Sequence, residues 1–427
     1  VAEHADTHYA RTQAEDRRYP ALTGDVSAEV CVIGGGLAGV ATALDLAERG
    51  RSVVLLERHR IGWGASGRNG GFASPGLPGG LMSAVPKLGL ARVQEMVALT
   101  RAAQTLMRER IARYAIDCGP IVDGALRCAM AEDATPLQQT ADAIARDFGM
   151  VYDLWPRERV RAALATHRYG EAWLNPFSFS LHPLNFAAGM ARAAADQGAR
   201  VFEQTSVTGV SLDGAEKSVR TRTGSVRARH VVFACGGYID GLFAPVSRAT
   251  IPIATFVVAT QPLGALLDAA IRVPYAVSDI QSPTNYYRKL ADGRLLWGGR
   301  VLAWQPRPAR IAADMRRDIA SFYPTLAAAG IETAWGGLMP FTRHRLPSFG
   351  ALADGVWYAT GFGGLGVVLT TTAGTLIGAG IAEGDDRWRL FARNGLPFAG
   401  GKAGRVPAQF VYWRTQLEAR FGRRRAH

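Results

Sequence analysis

The chain has 427 residues, 48% of them hydrophobic and 20% charged, enough apolar material for a large core spread over two domains. That balance excludes a disordered or fibrous protein. A polar, mixed-charge N-terminus and the lack of an uninterrupted apolar stretch of spanning length point to a chain that is neither secreted nor integral to a membrane. The formal charge of +13 could draw in nucleic acid, an anionic membrane or acidic metabolites, but the basic residues are scattered and only Arg423-Arg424-Arg425 forms a block, so nucleic-acid binding is not expected. Cys31, Cys118, Cys128 and Cys235 show no metal-ligand spacing and read as reduced thiols of a cytoplasmic protein.

The first strong pattern is an apolar run at 30–33 that flows into Gly34-Gly35-Gly36-Leu37-Ala38-Gly39, a helical stretch over 40–50, a second apolar run over 52–56, and Glu57. This is a dinucleotide-binding βαβ unit. Gly34 permits a tight turn off the strand, Gly36 leaves room for a pyrophosphate, and Gly39 lets helix and strand approach closely. Amide groups at the helix start face the phosphates. Glu57 stands where an acid binds a ribose diol, which argues against NADP.

A glycine-dense loop follows over 58–72, and Trp63, Arg68, Asn69 and Phe72 within it suit ligand contact better than linker. The pattern then turns helical over 88–116, as one helix or two, with Val93, Met96, Val97, Ala103, Met107 and Ile111 on a stripe. Another helix is expected over 184–198 and a strand over 200–203. A meander at 207–212, 218–222 and 226–229 leads into a separate buried strand from 231 that ends on Gly236-Gly237. Strands of a second sheet are expected within 252–262 and 285–300, with a hairpin turn at Asp292-Gly293, then a helix over 309–323. The stretch 336–350, with two prolines, reads as a loop. Last come a strand over 356–360, a third glycine loop at 361–366 and a helix over 372–383.

In this order the pieces resemble the FAD-dependent amine and amino-acid oxidase family that includes D-amino-acid oxidase, glycine oxidase, sarcosine oxidase and γ-glutamylputrescine oxidase. The likeness spans nearly the whole chain: GGGLAG, GWGASGRNGG, HPLNFAAGMARAA, HVVFACGG, YYRKLADGRLLWGGR, WGG followed by TRHRLPSFG, and GFGGLGVVLTT. The loop GWGASGRNGG and the WGG with TRHRLPSFG look most like the γ-glutamylputrescine oxidase branch. The resemblance implies an α/β fold: a Rossmann-like FAD-binding domain with a central parallel sheet (1–85, 160–245 and 340–427) and an antiparallel-sheet substrate domain (86–159 and 246–339). It also implies that Gly34, Gly36, Leu37, Ala38 and Gly39 hold the FAD pyrophosphate and that Glu57 and Arg58 meet the adenosine end. Ala65, Ser66, Gly67, Arg68, Asn69 and Gly70 would run along the pyrophosphate, ribityl chain and flavin. Val207 would meet the adenine and Gly236 the pyrophosphate, while Gly363, Gly364, Leu365, Gly366 and Val367 would cap the flavin's pyrimidine edge. There, amide groups entering a helix suit the negative charge of reduced flavin.

Enzymes of this type resemble one another in passing a hydride from a C–N carbon to the flavin, after which an imine is hydrolysed and oxygen reoxidises the flavin to give peroxide. No catalytic triad is expected, and His59, His182 and His230 read as surface or packing residues, with His344 near a substrate-site loop. Tyr286 and Arg288 lie two apart and so share one face of their strand. By the resemblance a tyrosine at about Tyr286 helps bind a substrate carboxylate, and Arg288 could pair with an acidic group through two hydrogen bonds. The family's carboxylate-clamping arginine falls at Met339, so either Arg288, Arg343 or Arg345 replaces it or the reacting carbon bears no carboxylate. Sarcosine oxidases link flavin to a cysteine in the C-terminal region, yet no cysteine follows Cys235, which implies noncovalent FAD. The alternatives are a flavin dehydrogenase that passes electrons to a quinone or carrier, an NAD-linked dehydrogenase sharing only the first βαβ unit, and a noncatalytic flavin-binding protein.

Overall fold

A computed structural model describes residues 3–132, 137–281 and 284–422. The block Arg423-Arg424-Arg425 lies outside the described residues. Among the described residues the strands form two sheets, which together make the expected mixed α/β fold: a Rossmann-like region beside a largely antiparallel sheet.

The first sheet runs in the order Ser348–Ala353, Val356–Thr360, Gly224–Phe233, Gly24–Ile33, Val53–Leu56 and Arg200–Phe202. Its four central and distal pairings are parallel. Val30 to Ile33 are buried on both faces: Val30 and Val32 pack in the cluster with the helices, and Cys31 and Ile33 pack on the other side in a cluster with Val219, Val226 and Val246. The meander differs from expectation. Its third strand and the buried strand are one element, Gly224–Phe233, paired with Gly24–Ile33 from Gly224 to Phe233. Burial alternates in its first half, where Lys217–Thr221 flanks it, and becomes continuous where Val356–Thr360 takes that side. One strand thus carries two patterns.

Two helices pack against each other on this sheet, Leu37–Glu48 and Gly366–Glu383. They approach closely because the second offers glycines: a Cβ on Gly374 would lie 2.6 Å from the Ala41 Cβ, and one on Gly378 would lie 2.1 Å from Asp45 Oδ2. Contrary to the sequence expectation, Gly366–Glu383 is long and apolar enough to cross a membrane, but 67% of it is buried inside the fold. Its apolarity serves helix and sheet packing on several sides. It also begins at Gly366, six residues before the expected start. The expected helical stretch 88–116 is one helix, Leu90–Arg113, and a further helix, Leu81–Leu88, precedes it across Gly89 at φ 84°.

The second sheet runs in the order Ile331–Thr342, Thr250–Thr260, Leu295–Leu302, Tyr286–Lys289, Ala276–Asp279, Val122–Met130, Tyr169–Ser180 and Phe72–Ala73, with Asp153–Trp155 on Tyr169–Ser180. Tyr169–Ser180 therefore pairs in this sheet although it lies within the 160–245 segment expected in the nucleotide domain. The stretch 336–350 is not a loop: it holds the end of Ile331–Thr342 and the start of Ser348–Ala353. Pro340 stands opposite Pro252, and two residues without an N–H can share a ladder rung only at a non-hydrogen-bonded pair.

The helix Pro183–Asp196 is capped by His182, whose Nδ1 accepts the Asn185 N–H at 3.1 Å while Nε2 lies 3.1 Å from Thr12 Oγ1. Burial lowers the His182 pKa to about 3. The unfolded chain then binds a proton below pH ~6.5 that the folded chain refuses, so stability is complete above pH ~6.5 and falls on acidification, by at most ~1.4 kcal/mol per pH unit from this residue. Urea midpoints between pH 7 and 5 are expected to decline less steeply in His182→Asn, which keeps a cap without the titration.

Candidate functional site

A cavity of about 1000 Å³ lies between the two sheets, at the carboxyl ends of the first sheet's parallel strands, where ligands of such folds bind. Gly34 leaves the strand at φ 112° and its N–H donates to Leu56 O at 2.8 Å. A Cβ on Gly39 would sit 1.8 Å from Gly34 O, so helix and turn touch there as the spacing predicts. Glu57 Oε2 accepts the Gly35 N–H and Oε1 the His59 N–H, both at 2.7 Å. Burial raises the Glu57 pKa and those two amides oppose the rise. Ser66 Oγ accepts the Leu37 N–H at 2.9 Å, which leaves the Gly36 and Ala38 amides without a partner among the described residues. They face the cavity with the positive end of a helix behind them.

The second glycine loop is folded by Asn69, whose Nδ2 donates to Ala65 O and Ser66 O and whose Oδ1 accepts the Gly71 N–H. It is pinned to the second sheet by the Trp335 Nε1–H donated to Arg68 O at 3.0 Å. Arg68 lies over the Trp63 ring at 4.3 Å and donates from Nη1 to Gly336 O, while its buried Nη2 has no partner. Burial lowers its pKa. The third loop brings Gly363 at φ 55° and Gly364 at φ 89° to the start of Gly366–Glu383. Amides of Gly363, Gly364, Gly366 and Val367 have no partner among the described residues. The cavity thus meets two helix N-termini.

Of the residues singled out in the sequence, Gly34, Gly36, Leu37, Ala38, Glu57, Arg58, Ala65, Ser66, Arg68, Asn69, Gly70, Val207, Gly236, Gly363, Gly364, Leu365, Gly366 and Val367 line this cavity, as do Tyr286, Met339 and His344. Gly39 and Gly67 lie behind the lining as close-packing positions; a Cβ on Gly67 would stand 2.5 Å from Gly62 O. Arg58 is paired with Asp240 at 2.9 Å near the surface. The Nδ1 of His344 accepts the Leu346 N–H, and burial lowers its pKa.

Arg288 is not brought into the cavity. It shares the face of Tyr286, as the spacing predicts, while Tyr287 stacks on Trp297 on the other side. Its guanidinium, however, donates to Gly70 O at 3.0 Å, Leu181 O at 2.9 Å and the Tyr9 hydroxyl at 3.3 Å, and Tyr9 is fully buried against it. Its Nε and Nη2 are thus committed to loop backbone and to Tyr9, and the residue stands outside the cavity lining. Arg343 is exposed outside the cavity lining, and Arg345 is an exposed residue of that lining.

Sequence reasoning missed Arg127, Tyr152, Trp173, Asn175 and Tyr412 in the lining. The alternation in Val122–Met130 shows that Arg127 has a face, but not that this face looks into a cavity.

Residues 29–379 match the family described as FAD dependent oxidoreductase, and the chain belongs to that family. Within the family it is similar to a gamma-glutamylputrescine oxidoreductase of Escherichia coli (strain K12), 32% identical over 411 residues that cover 95% of this chain and 96% of that protein. A probable oxidoreductase, OrdL, of Haemophilus influenzae is 30% identical over 413 residues, 95% of this chain and 94% of that one. The solved structure of glycine oxidase from Geobacillus kaustophilus shares the fold at a TM-score of 0.69 and 24% identity, over 84% of this chain and 95% of that one. The site fits the family's cofactor on its own chemistry: free amides at two helix N-termini, an unpartnered Arg68 Nη2, and glycines such as Gly36, where a Cβ would stand 2.8 Å from Ser66 Oγ.

Proposed function

We propose that the protein holds FAD noncovalently in this cavity and oxidises a C–N bond of a primary or secondary amine or N-substituted amino acid. The observation that carries the reading is the meeting of three glycine loops, from 34–39, 62–71 and 361–366, around one cavity whose far wall is an antiparallel sheet. The relatives' names and the continuous match to them support the amine. FAD bound there would accept a hydride from the C–N carbon and return the electrons to oxygen as peroxide, with water hydrolysing the imine product.

The Gly36 and Ala38 amides would bind the pyrophosphate, with Glu57 and Arg58 toward the ribose and Val207 and Gly236 beside them. Ala65, Ser66, Arg68, Asn69 and Gly70 would follow the cofactor toward the flavin with Gly67 packed behind them, and the free amides of Gly363, Gly364, Gly366 and Val367 would stabilise negative charge at the pyrimidine edge, with Leu365 beside them. Tyr286 would stand beside the substrate; burial raises its phenol pKa, so it stays protonated and can donate a hydrogen bond. Gly298 makes room for that ring, since a Cβ there would lie 2.0 Å from its Cζ. Met339 and His344 would shape the same end. The four cysteines are free, which suits a reducing cytoplasmic setting.

Cys235 borders the cavity, but burial pushes its pKa up to about 12, which keeps it a thiol and a poor partner for a covalent flavin link. Acid precipitation is therefore expected to leave the yellow colour in the supernatant; colour retained in the pellet would contradict noncovalent binding. Turnover in air is expected to yield peroxide and a carbonyl product in equal amounts. A flavin that amines bleach without oxygen, yet that forms no peroxide in air, would move the acceptor to a quinone or carrier.

A further inference from the structure

The cavity wall facing the glycine loops carries a row of residues that share one register. Trp173 stands opposite Arg127, Arg127 opposite Ser278, and Ser278 opposite Tyr286. All four therefore point to one face, and all four line the cavity. With strands about 4.8 Å apart, Arg127 springs from the sheet ~10 Å from Tyr286. Met339 lies five strands from Arg127, on the strand that ends the row.

The Arg127 guanidinium has no hydrogen bond and no ion pair within 4 Å among the described residues, and its Nε is buried. The nearby acid, Asp279, is fully buried and already committed. Its Oδ1 accepts the Gln281 and Asn285 N–H groups, both at 3.1 Å, and its Oδ2 accepts Asn285 Nδ2–H at 2.8 Å. Burial lowers the pKa of Arg127, with Asp279 and Tyr152 opposing, but an arginine remains a cation. A half-buried cation that forms no ion pair, whose one nearby acid is already bonded elsewhere, is well placed to take an anion from a ligand. Other side chains of the lining suit one: Asn175 Nδ2 and the Ser278 hydroxyl offer hydrogen-bond donors, and Trp173 and Tyr152 offer an apolar floor.

Near Met339 the lining includes Arg345, but that residue is exposed and so has water to satisfy it. Arg288 is engaged by backbone oxygens, and Arg68 belongs to the loop assigned to the cofactor. Resting on the functional reading above, we propose that Arg127 binds a carboxylate carried by the amine substrate several atoms from the carbon that is oxidised. The enzyme then selects amines with an anionic far end, and Arg127 sets that specificity.

The test uses the holoenzyme and matched pairs of ω-amino acids and their neutral amides, from four to ten atoms between amine and carboxylate, with kcat/KM measured for each. Wild type is expected to prefer the carboxylate by about 100-fold at its best length, and Arg127→Met to reduce that ratio to within about threefold, with Arg127→Lys in between. A ratio that Arg127→Met leaves unchanged, or a wild type that favours α-carboxylates at any chain length, would overturn the proposal. Titration of oxidised holoenzyme with glutarate, followed through the flavin spectrum, reads the same residue without turnover: binding should weaken at least tenfold in Arg127→Met. If no amine reduces the flavin, the functional reading fails, and the glutarate titration still decides whether Arg127 is an anion site.

Discussion

Gly39→Ala is expected to purify without flavin absorbance at 450 nm and with a lowered melting temperature. The added Cβ would stand 1.8 Å from Gly34 O and 3.0 Å from Gly34 C, both backbone atoms of the turn itself. No rotamer relieves that contact; the helix Leu37–Glu48 must move off the strand Gly24–Ile33. Overpacking of this kind costs ~1–3 kcal/mol or more. The same displacement carries away the Gly36 and Ala38 amides and the Leu37 N–H bond to Ser66 Oγ, so cofactor binding should suffer more than folding. Gly36→Ala makes a useful comparison: its Cβ would meet a side-chain hydroxyl, Ser66 Oγ, at 2.8 Å, and a small shift of that serine accommodates it. It should retain flavin with reduced affinity. Flavin bound per chain and circular dichroism melting separate the two effects.

Arg110→Met should be the most destabilising substitution away from the cavity, by ~3–5 kcal/mol. Arg110 comes from the helix Leu90–Arg113, is 2% exposed, and reaches Asp45 Oδ1 at 3.1 Å and Glu48 on the glycine-loop helix. Asp45 also binds Arg49 Nε at 2.7 Å, and Glu48 accepts the Tyr114 hydroxyl at 2.7 Å. Removing the shared cation leaves Asp45, 3% exposed, with one partly exposed partner. The penalty is that of an uncompensated buried charge rather than the value of one contact, so Asp45→Asn in the same chain should recover part of it. Denaturant unfolding of the two single variants and the double variant measures the coupling.

What could be read directly from the amino acids was local. The Gly34 to Gly39 turn, the hairpin at Asp292-Gly293 and the glycine loop before Gly366–Glu383 each carry their geometry in a few adjacent residues. Elements whose pattern is set by neighbours were harder. Gly224–Phe233 looks like two strands because its partners change halfway, and the prolines at Pro340 and Pro252 conceal a strand pair that is allowed because they meet at a rung that needs no N–H. The site divides in the same way. The backbone cradle follows from glycine spacing, whereas the side-chain wall depends on which strands lie side by side. Arg288 was visible as a candidate, and nothing in its own strand shows that Tyr9, from the N-terminal segment, and the carbonyls of Gly70 and Leu181 occupy it. Arg127 was missed because its importance comes from the parallel pairing of Ala276–Asp279 with Val122–Met130, a long-range match.

The central claim, that this chain carries FAD to a C–N bond, is tested most directly by anaerobic titration of the purified holoenzyme with a panel of amines and amino acids. The account predicts that at least one of them bleaches the 450 nm band to completion with a stoichiometric carbonyl product. A flavin that stays oxidised with every amine but is reduced by NADH or by a hydroxy acid would contradict it.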